Sequence, residues 1–148
     1  MIIHKIAPKL YTSGHPSFTL PLAKHFNTLV LAAKEWQPGA EHFGGLRVIH
    51  SPMDDDHQKM STKDKARAVS AATKVIEDLE QKKRVLVTCW EGRNRSNLIA
   101  GLVLILGPSQ MTAEEVITSV RQICGVRALS NPHFRHMLFL AEASRKTS

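Results

Sequence analysis

Residues 85–96 read Val85-Leu86-Val87-Thr88-Cys89-Trp90-Glu91-Gly92-Arg93-Asn94-Arg95-Ser96. The apolar start of this stretch predicts a short buried strand that ends at Cys89. A strongly apolar segment, residues 98–106, follows and predicts a buried helix. A strand, a short polar loop and a helix in this order are typical of an α/β protein, in which ligands bind at the C-terminal ends of parallel strands.

The loop between this strand and helix carries the groups that bind and attack a phosphate. Amide N–H groups ahead of a helix form a concave anion site, and the helix dipole adds positive charge there. The same field favours the thiolate form of Cys89, which is the nucleophilic form. Arg95 can offer two parallel N–H donors to phosphate oxygens, Gly92 lets the backbone turn tightly, and Ser96 can donate a hydrogen bond to the sulfur. The pattern therefore predicts removal of a phosphoryl group through Cys89.

Such a reaction also needs an acid that protonates the leaving oxygen. Asp54, Asp55 and Asp56 form an acidic cluster in a predicted loop upstream of Cys89. A carboxylic acid within hydrogen-bond reach contributes about 10²–10⁴-fold to such a step. The pattern of residues leaves all three aspartates as candidates.

Residues 89–96 resemble the signature loop of the cysteine-based protein tyrosine phosphatases, in their compact dual-specificity branch. Looser similarity to the same family extends over residues 6–14, 52–55 and 120–134. The chain departs from the family pattern at Thr88, where a histidine is usual, and at Asn97, where a small residue is common. The resemblance implies a dual-specificity phosphatase-like α/β fold, with a central, mainly parallel twisted sheet flanked by helices.

The resemblance also implies roles for individual residues. Cys89 would form a phosphocysteine, Arg95 would bind the phosphate and Ser96 would ease release of the sulfur. The family places a proline three residues before its acid, which favours Asp55, with Asp54 and Asp56 as alternatives. The expected substrate-binding residues are those of the loop: Trp90, Glu91, Gly92, Arg93, Asn94 and Arg95. The implied activity is hydrolysis of phosphotyrosine, and of phosphoserine and phosphothreonine, without a cofactor.

Composition agrees with a small enzyme. The 148 residues predict one catalytic domain, 1–148, with an ordinary 43% hydrophobic and 22% charged content. Two cysteines make no disulfide framework, the eight histidines lack metal spacing, and no secretory leader is seen at the start. We therefore expect a cytoplasmic monomer that has no metal and no membrane partner.

The net charge of +7 favours an anionic partner, and we expect that partner to be a phosphorylated protein. Nucleic acid is the alternative partner, although the chain has only 5% aromatic residues and lacks a long basic run. Three other functions stay open: an RNA 5′-phosphatase of the same superfamily, a non-catalytic phosphopeptide-binding module, and a sulfur-transfer enzyme of the rhodanese type. The pair Arg95-Ser96 disfavours the last of these.

Periodicity and turn residues place the remaining elements. Strands are predicted within residues 2–11, 28–33, 46–50 and 84–88. Helices are predicted over 17–26, 61–82, 97–106 and 112–124, and a last helix is predicted to open at Asn131-Pro132.

Overall fold

The computed structural model describes residues 1–56 and 58–145, which form a five-stranded sheet and four α-helices. The strands are β1 (Ile3–Ala7), β2 (Leu10–Ser13), β3 (Thr28–Ala33), β4 (Arg47–Met53) and β5 (Val85–Thr88). Their order across the sheet is β1-β2-β5-β3-β4. The β1–β2 pair is antiparallel and the other pairs are parallel, which confirms the predicted α/β class and the mainly parallel sheet.

Strand β5 lies in the middle of the sheet, and all four of its residues are buried. It pairs with β2 on one side and with β3 on the other. A central parallel strand is covered on both faces, which explains why Val85-Leu86-Val87 is a continuous apolar run rather than an alternating one. The C-terminal end of β5 therefore opens at the middle of one sheet edge.

The helices are α1 (Thr62–Glu80), α2 (Arg95–Leu106), α3 (Ala113–Cys124) and α4 (Pro132–Arg145). Helix α2 contacts each of the other three and also the sheet, and its residues 95–105 are all buried. A helix that is surrounded in this way has no polar face, as the apolar segment 98–106 predicted. Two helices are capped at their N-termini: Ser61 accepts a hydrogen bond from Asp64 N ahead of α1, and Thr112 and Glu115 form a capping box ahead of α3.

The other face of the sheet is covered by irregular segments instead of helices. A second apolar cluster forms there from Leu22, Phe26, Leu29, Leu31, Phe43 and Leu86. The helix predicted over 17–26 is wrong, since this segment holds a single 3-10 turn, Leu22–Lys24. Pro21 precedes the turn and lacks a backbone N–H, and prolines 16 and 21 together leave too little uninterrupted chain for an α-helix.

Two strand ends and one helix end determine where the site lies. Helix α2 starts a few residues after β5, so its N-terminus points back at the C-terminal end of that strand. Strands β3 and β4 run parallel to β5, so β4 ends, at Met53, on the same edge of the sheet as β5. The residues that follow β4 directly are Asp54-Asp55-Asp56.

Within residues 1–56 and 58–145, no helix combines the length and apolar character needed to cross a bilayer. The same part of the chain holds no group of three or more His, Cys, Asp or Glu residues arranged to bind a metal ion.

Candidate active site

The loop of residues 89–94, called the phosphate loop below, has its carbonyl groups held on the outside. The Trp90 carbonyl accepts from the backbone N of His15 (3.3 Å) and lies 3.0 Å from its Nδ1. Asn97 Nδ2 donates to the carbonyls of Gly92 (3.3 Å) and Arg93 (2.9 Å). Peptide planes whose oxygens point outward direct their N–H groups inward, so the loop presents donors to its own centre.

Two glycines allow this loop to lie against the end of β2. Gly92 has φ +75°, and a Cβ at this position would lie 2.7 Å from Gly14 N and 2.9 Å from the Ser13 carbonyl carbon. A Cβ on Gly14 would lie 3.0 Å from Trp90 O. The predicted need for glycine at position 92 therefore has two causes, a left-handed backbone and backbone-to-backbone contact.

Cys89 lies at the base of the loop and is 3% exposed. The Gly92 N–H donates to its Sγ at 3.2 Å, and Ser96 Oγ lies 3.3 Å from the same sulfur. Both groups can donate to a thiolate, and the N-terminus of α2 adds the positive end of a helix dipole. The sulfur thus faces donors rather than apolar side chains alone.

Arg95 is the first residue of α2 and is 6% exposed. Its Nη1 donates to Glu35 Oε2 (2.7 Å) and to Met53 O (2.9 Å), and its Nη2 donates to Glu35 Oε1. Burial opposes its charge, but the Glu35 hydrogen bonds and the nearby Cys89 and Asp55 outweigh that effect, so the pKa of Arg95 is raised. Its Nε is buried and has no hydrogen-bond partner among the described residues.

Glu35 is a residue of the site that the sequence did not reveal. It follows β3 and holds the Arg95 guanidinium in a two-point ion pair. The hydrogen bonds from Arg95 lower the pKa of Glu35, against the opposing effect of partial burial. The ion pair therefore stabilises the fold at neutral pH, and this contribution is lost as pH falls through the lowered pKa of Glu35.

Asp55 is the one aspartate of the acidic cluster that faces the loop. Its Oδ2 accepts from Asn94 Nδ2 (3.0 Å) and its Oδ1 accepts from Asn131 Nδ2 (2.9 Å). Asp54 instead forms an ion pair with Lys34 at 3.4 Å, and the Asp56 carboxylate accepts from Gln58 N. The geometry therefore favours Asp55, although its role as the acid stays a prediction.

Asn131 ties the acidic segment, the phosphate loop and α4 together. Besides its bond to Asp55, its Nδ2 donates to Asp56 O (3.0 Å), and its backbone N donates to Asn94 Oδ1 (3.1 Å). Its own Oδ1 accepts from His133 N and caps α4. Sequence reasoning identified Asn131 only as a helix start and missed this link.

The groups converge on a small cavity of about 200 Å³. Its lining is Asp55, Cys89, Trp90, Glu91, Arg93, Asn94 and Arg95. Of the predicted substrate-binding residues, Gly92 contributes its backbone, Glu91 and Arg93 form an ion pair at 3.4 Å, and Trp90 is 43% exposed at the rim. The cavity therefore combines a sulfur, a guanidinium, a carboxyl group and inward amides, which together can bind and attack a tetrahedral anion.

Comparison with solved structures identifies the fold. Human DUSP28 matches with a TM-score of 0.81 and 20% identity over 97% of this chain and 95% of that one. Tk-PTP in its active form matches with a TM-score of 0.81 and 19% identity, and the match covers 95% of this chain and 96% of the Tk-PTP chain. PTPMT1 in complex with PI(5)P matches with a TM-score of 0.83 and 14% identity, and the match covers 98% of this chain and 97% of the PTPMT1 chain. This chain has the dual-specificity phosphatase fold. No protein-family model and no curated protein matches the sequence.

Thr88 stands where phosphatases of this fold usually carry a histidine. Its Oγ1 donates to Val30 O of β3 at 2.8 Å, and the residue is buried. The hydroxyl thus ties β5 to β3 instead of contacting the phosphate loop. In this chain His15 and Asn97 hydrogen-bond the loop carbonyls. Asn97 is the second departure from the family pattern, and its side chain holds the carbonyls of Gly92 and Arg93.

Both cysteines are free thiols. Cys124 is half-buried at the end of α3, and burial raises the pKa of its thiol despite contacts with Thr12 and Asn97. A raised pKa keeps this thiol protonated at neutral pH, which is expected for a cysteine that packs in the core rather than reacts.

The Gly92→Ala variant tests the close packing of the phosphate loop. The added Cβ meets the backbone of Ser13 and Gly14 at under 3 Å on a left-handed residue, so we expect a loss of about 1–3 kcal/mol in the free energy of unfolding. We also expect loss of tungstate binding by isothermal titration calorimetry. Gly44→Ala is the matched control, because a Cβ there meets open space. If Gly92→Ala and Gly44→Ala had the same free energy of unfolding and the same affinity for tungstate, the close packing of the loop would be contradicted.

The Glu35→Gln variant tests whether Glu35 orients Arg95. A neutral amide keeps the size of the side chain but loses the two-point ion pair, so we expect about tenfold weaker binding of phosphate or tungstate at pH 7. The Glu80→Gln control changes an exposed acid at the end of α1 and should leave affinity unchanged. Unaltered affinity in Glu35→Gln would show that Arg95 needs no partner to bind the anion.

Proposed function

We propose that this protein is a cysteine-dependent phosphatase that hydrolyses phosphate monoesters through a phosphocysteine. The observation that supports it best is that Cys89, Arg95 and Asp55 line one cavity, within the described part of the chain. The fold neighbours are phosphatases of the same architecture, which supports the general class of activity.

In the first step the Cys89 thiolate attacks phosphorus and a P–S bond forms as the P–O bond to the leaving group breaks. Asp55 gives its proton to the leaving oxygen, so the product departs as a neutral alcohol or phenol. Each Asp55 oxygen accepts one amide hydrogen bond, which leaves a second lone pair free to carry that proton. The Arg95 guanidinium and the loop amides bind the equatorial oxygens, where preorganised donors contribute most to the rate.

In the second step water attacks the phosphocysteine. The Asp55 carboxylate, now a base, takes a proton from the water while the P–S bond breaks and inorganic phosphate forms. Ser96 can donate a hydrogen bond to the departing thiolate, since its Oγ lies 3.3 Å from the Cys89 sulfur. Cys89 and Asp55 return to their starting protonation states.

A phosphorylated protein is the proposed substrate, with phosphotyrosine and phosphoserine or phosphothreonine as the reacting residues. The cations near the cavity are largely neutralised, since Lys34 pairs with Asp54, Arg93 with Glu91 and Arg95 with Glu35. Among the described residues, no lysine lines the cavity. A polyanion such as RNA or an inositol polyphosphate needs several uncompensated cations, whereas a single phosphomonoester needs only the loop and Arg95.

The Cys89→Ser variant tests the nucleophile. A serine hydroxyl stays protonated in this site and attacks poorly, so we expect hydrolysis of p-nitrophenyl phosphate and of a phosphotyrosine peptide to fall by about 10³-fold or more. Peptide binding, measured by fluorescence anisotropy, should persist because Arg95 and the loop amides remain.

Cys124→Ser is the control for Cys89→Ser, since it removes the other thiol, and it should retain turnover. Wild-type protein that binds the phosphopeptide but never releases phosphate would instead indicate the non-catalytic binding module. Preferential release of phosphate from a 5′-triphosphorylated RNA would indicate the RNA 5′-phosphatase.

The Asp55→Asn variant tests the acid. We expect kcat for a phosphoserine peptide to fall by about 10²–10⁴-fold with little change in KM, because an alkoxide leaves poorly without a proton. The loss should be smaller for p-nitrophenyl phosphate, whose leaving group is stable as an anion. Asp54→Asn and Asp56→Asn serve as controls with near wild-type kcat. A larger loss in either control would move the acid to that residue.

A further inference from the structure

A second cavity lies beside the proposed catalytic cavity and is larger, about 570 Å³ against about 200 Å³. Trp90, Glu91 and Arg93 line both, so the two cavities share a wall. On its far side the larger cavity is bounded by the start of the chain and by the segment that follows β2. We call it the lateral groove and define it by the lining residues Met1, Ile2, His4, His15, Ser17 and Trp90.

The lateral groove exposes apolar side chains that the fold does not use. Ile2 is 73% exposed and Trp90 is 43% exposed, and Met1 is exposed beside them. Isolated exposed apolar residues are ordinary on a protein surface, but these three line one concave site next to a reactive sulfur. A concave apolar surface with a few polar groups is the usual form of a ligand-binding site.

The aromatic wall of the groove is held in place before any ligand binds. The His15 ring stacks on Trp90 with centroids 4.0 Å apart and an interplanar angle of 9°. The same His15 ring makes an edge-type contact with Trp36, with ring centroids 5.6 Å apart, and the backbone N of His15 donates to Trp90 O. A wall that is already ordered loses little conformational entropy on binding, which favours its use as a recognition surface.

We propose that the lateral groove binds an apolar side chain of the phosphoprotein substrate, at a residue close in sequence to the one whose phosphate enters the catalytic cavity. This inference rests on the proposed function and names a specificity determinant for it. The shared wall requires the two side chains to come from neighbouring positions. Three residues of extended peptide span about 10 Å, so the apolar residue is expected within three positions of the phosphoresidue.

The chemistry of the groove favours a peptide over a lipid or a nucleic acid. In the part of the chain that the structure describes, no lysine lines the groove, and its arginine, Arg93, is engaged by Glu91. A membrane-binding face would need cations for anionic headgroups, and a nucleic acid would need several uncompensated cations. The His4 side chain at the groove can instead hydrogen-bond the amide groups of a peptide backbone.

The test compares phosphotyrosine peptides that differ at one position. A parent peptide with serine at the three residues on each side of the phosphotyrosine is compared with six variants, each carrying one leucine. We expect kcat/KM to rise about tenfold for leucine at one position, since burying a leucine side chain at a protein surface contributes on this order. Turnover of p-nitrophenyl phosphate, which has no flanking residues, gives the reference.

The Ile2→Ser variant connects the preference to the groove. It should abolish most of the leucine preference and leave p-nitrophenyl phosphate turnover unchanged, because Ile2 lies outside the catalytic cavity. Leu140→Ser is the matched control, an aliphatic side chain 45% exposed on α4, and it should keep the preference. Thermal denaturation confirms that both variants fold.

The outcomes separate this inference from the proposed function. Equal kcat/KM for all seven peptides, or a leucine preference that survives in Ile2→Ser, would overturn the groove while leaving the phosphatase intact. Leucine-dependent binding to Cys89→Ser, combined with no turnover by wild type, would support the groove and overturn hydrolysis. Faster turnover of a phosphoinositide in vesicles than of every peptide, lost in Ile2→Ser, would assign the groove to lipid and overturn the proposal.

Discussion

The outward hydrogen bonding of the phosphate-loop carbonyls is the constraint on which the site depends. His15, Asn97 and Leu129 come from three different parts of the chain, and each binds a loop carbonyl from outside. A peptide plane that is fixed at its oxygen is also fixed at its N–H, so the donors point to the centre without a bound anion. Preorganised donors of this kind need no reorientation during a reaction, which is the main source of electrostatic catalysis.

A second level of organisation holds the side chains of Arg95 and Asp55, which line the cavity with Cys89. Glu35 holds Arg95 from the end of β3, and Asn131 holds Asp55 from the start of α4. Both contacts join elements that are far apart in sequence. Arg95 donates to both carboxylate oxygens of Glu35, and Asn131 Nδ2 donates to Asp55 and to the Asp56 carbonyl. Side chains that are held by such partners keep the geometry that a reaction requires, which an arginine or aspartate without partners would lose.

The distribution of charge shows why net charge is a poor guide to the substrate. The chain has a net charge of +7, yet Lys34, Arg93 and Arg95 around the site each form an ion pair with a carboxylate. The positive field at the sulfur therefore comes from amide groups, the α2 dipole and one buried guanidinium rather than from a basic surface. Such a site suits one phosphomonoester, and in the proposed phosphatase selection among substrates would depend on neighbouring surfaces such as the lateral groove.

The sequence by itself determined the elements that are encoded locally. The run ending at Cys89, the glycine at 92 and the apolar segment after Ser96 fixed the strand, loop and helix, because the interactions involved span only a few residues. The family resemblance favoured Asp55, but only the tertiary structure shows that this aspartate faces the cavity, that Glu35 holds Arg95 and that Asn131 holds Asp55. The Glu35–Arg95 pair forms because parallel strands bring their C-terminal ends to one edge of the sheet. The Asn131–Asp55 pair forms because α4 begins beside that edge, and a linear pattern carries no record of either proximity.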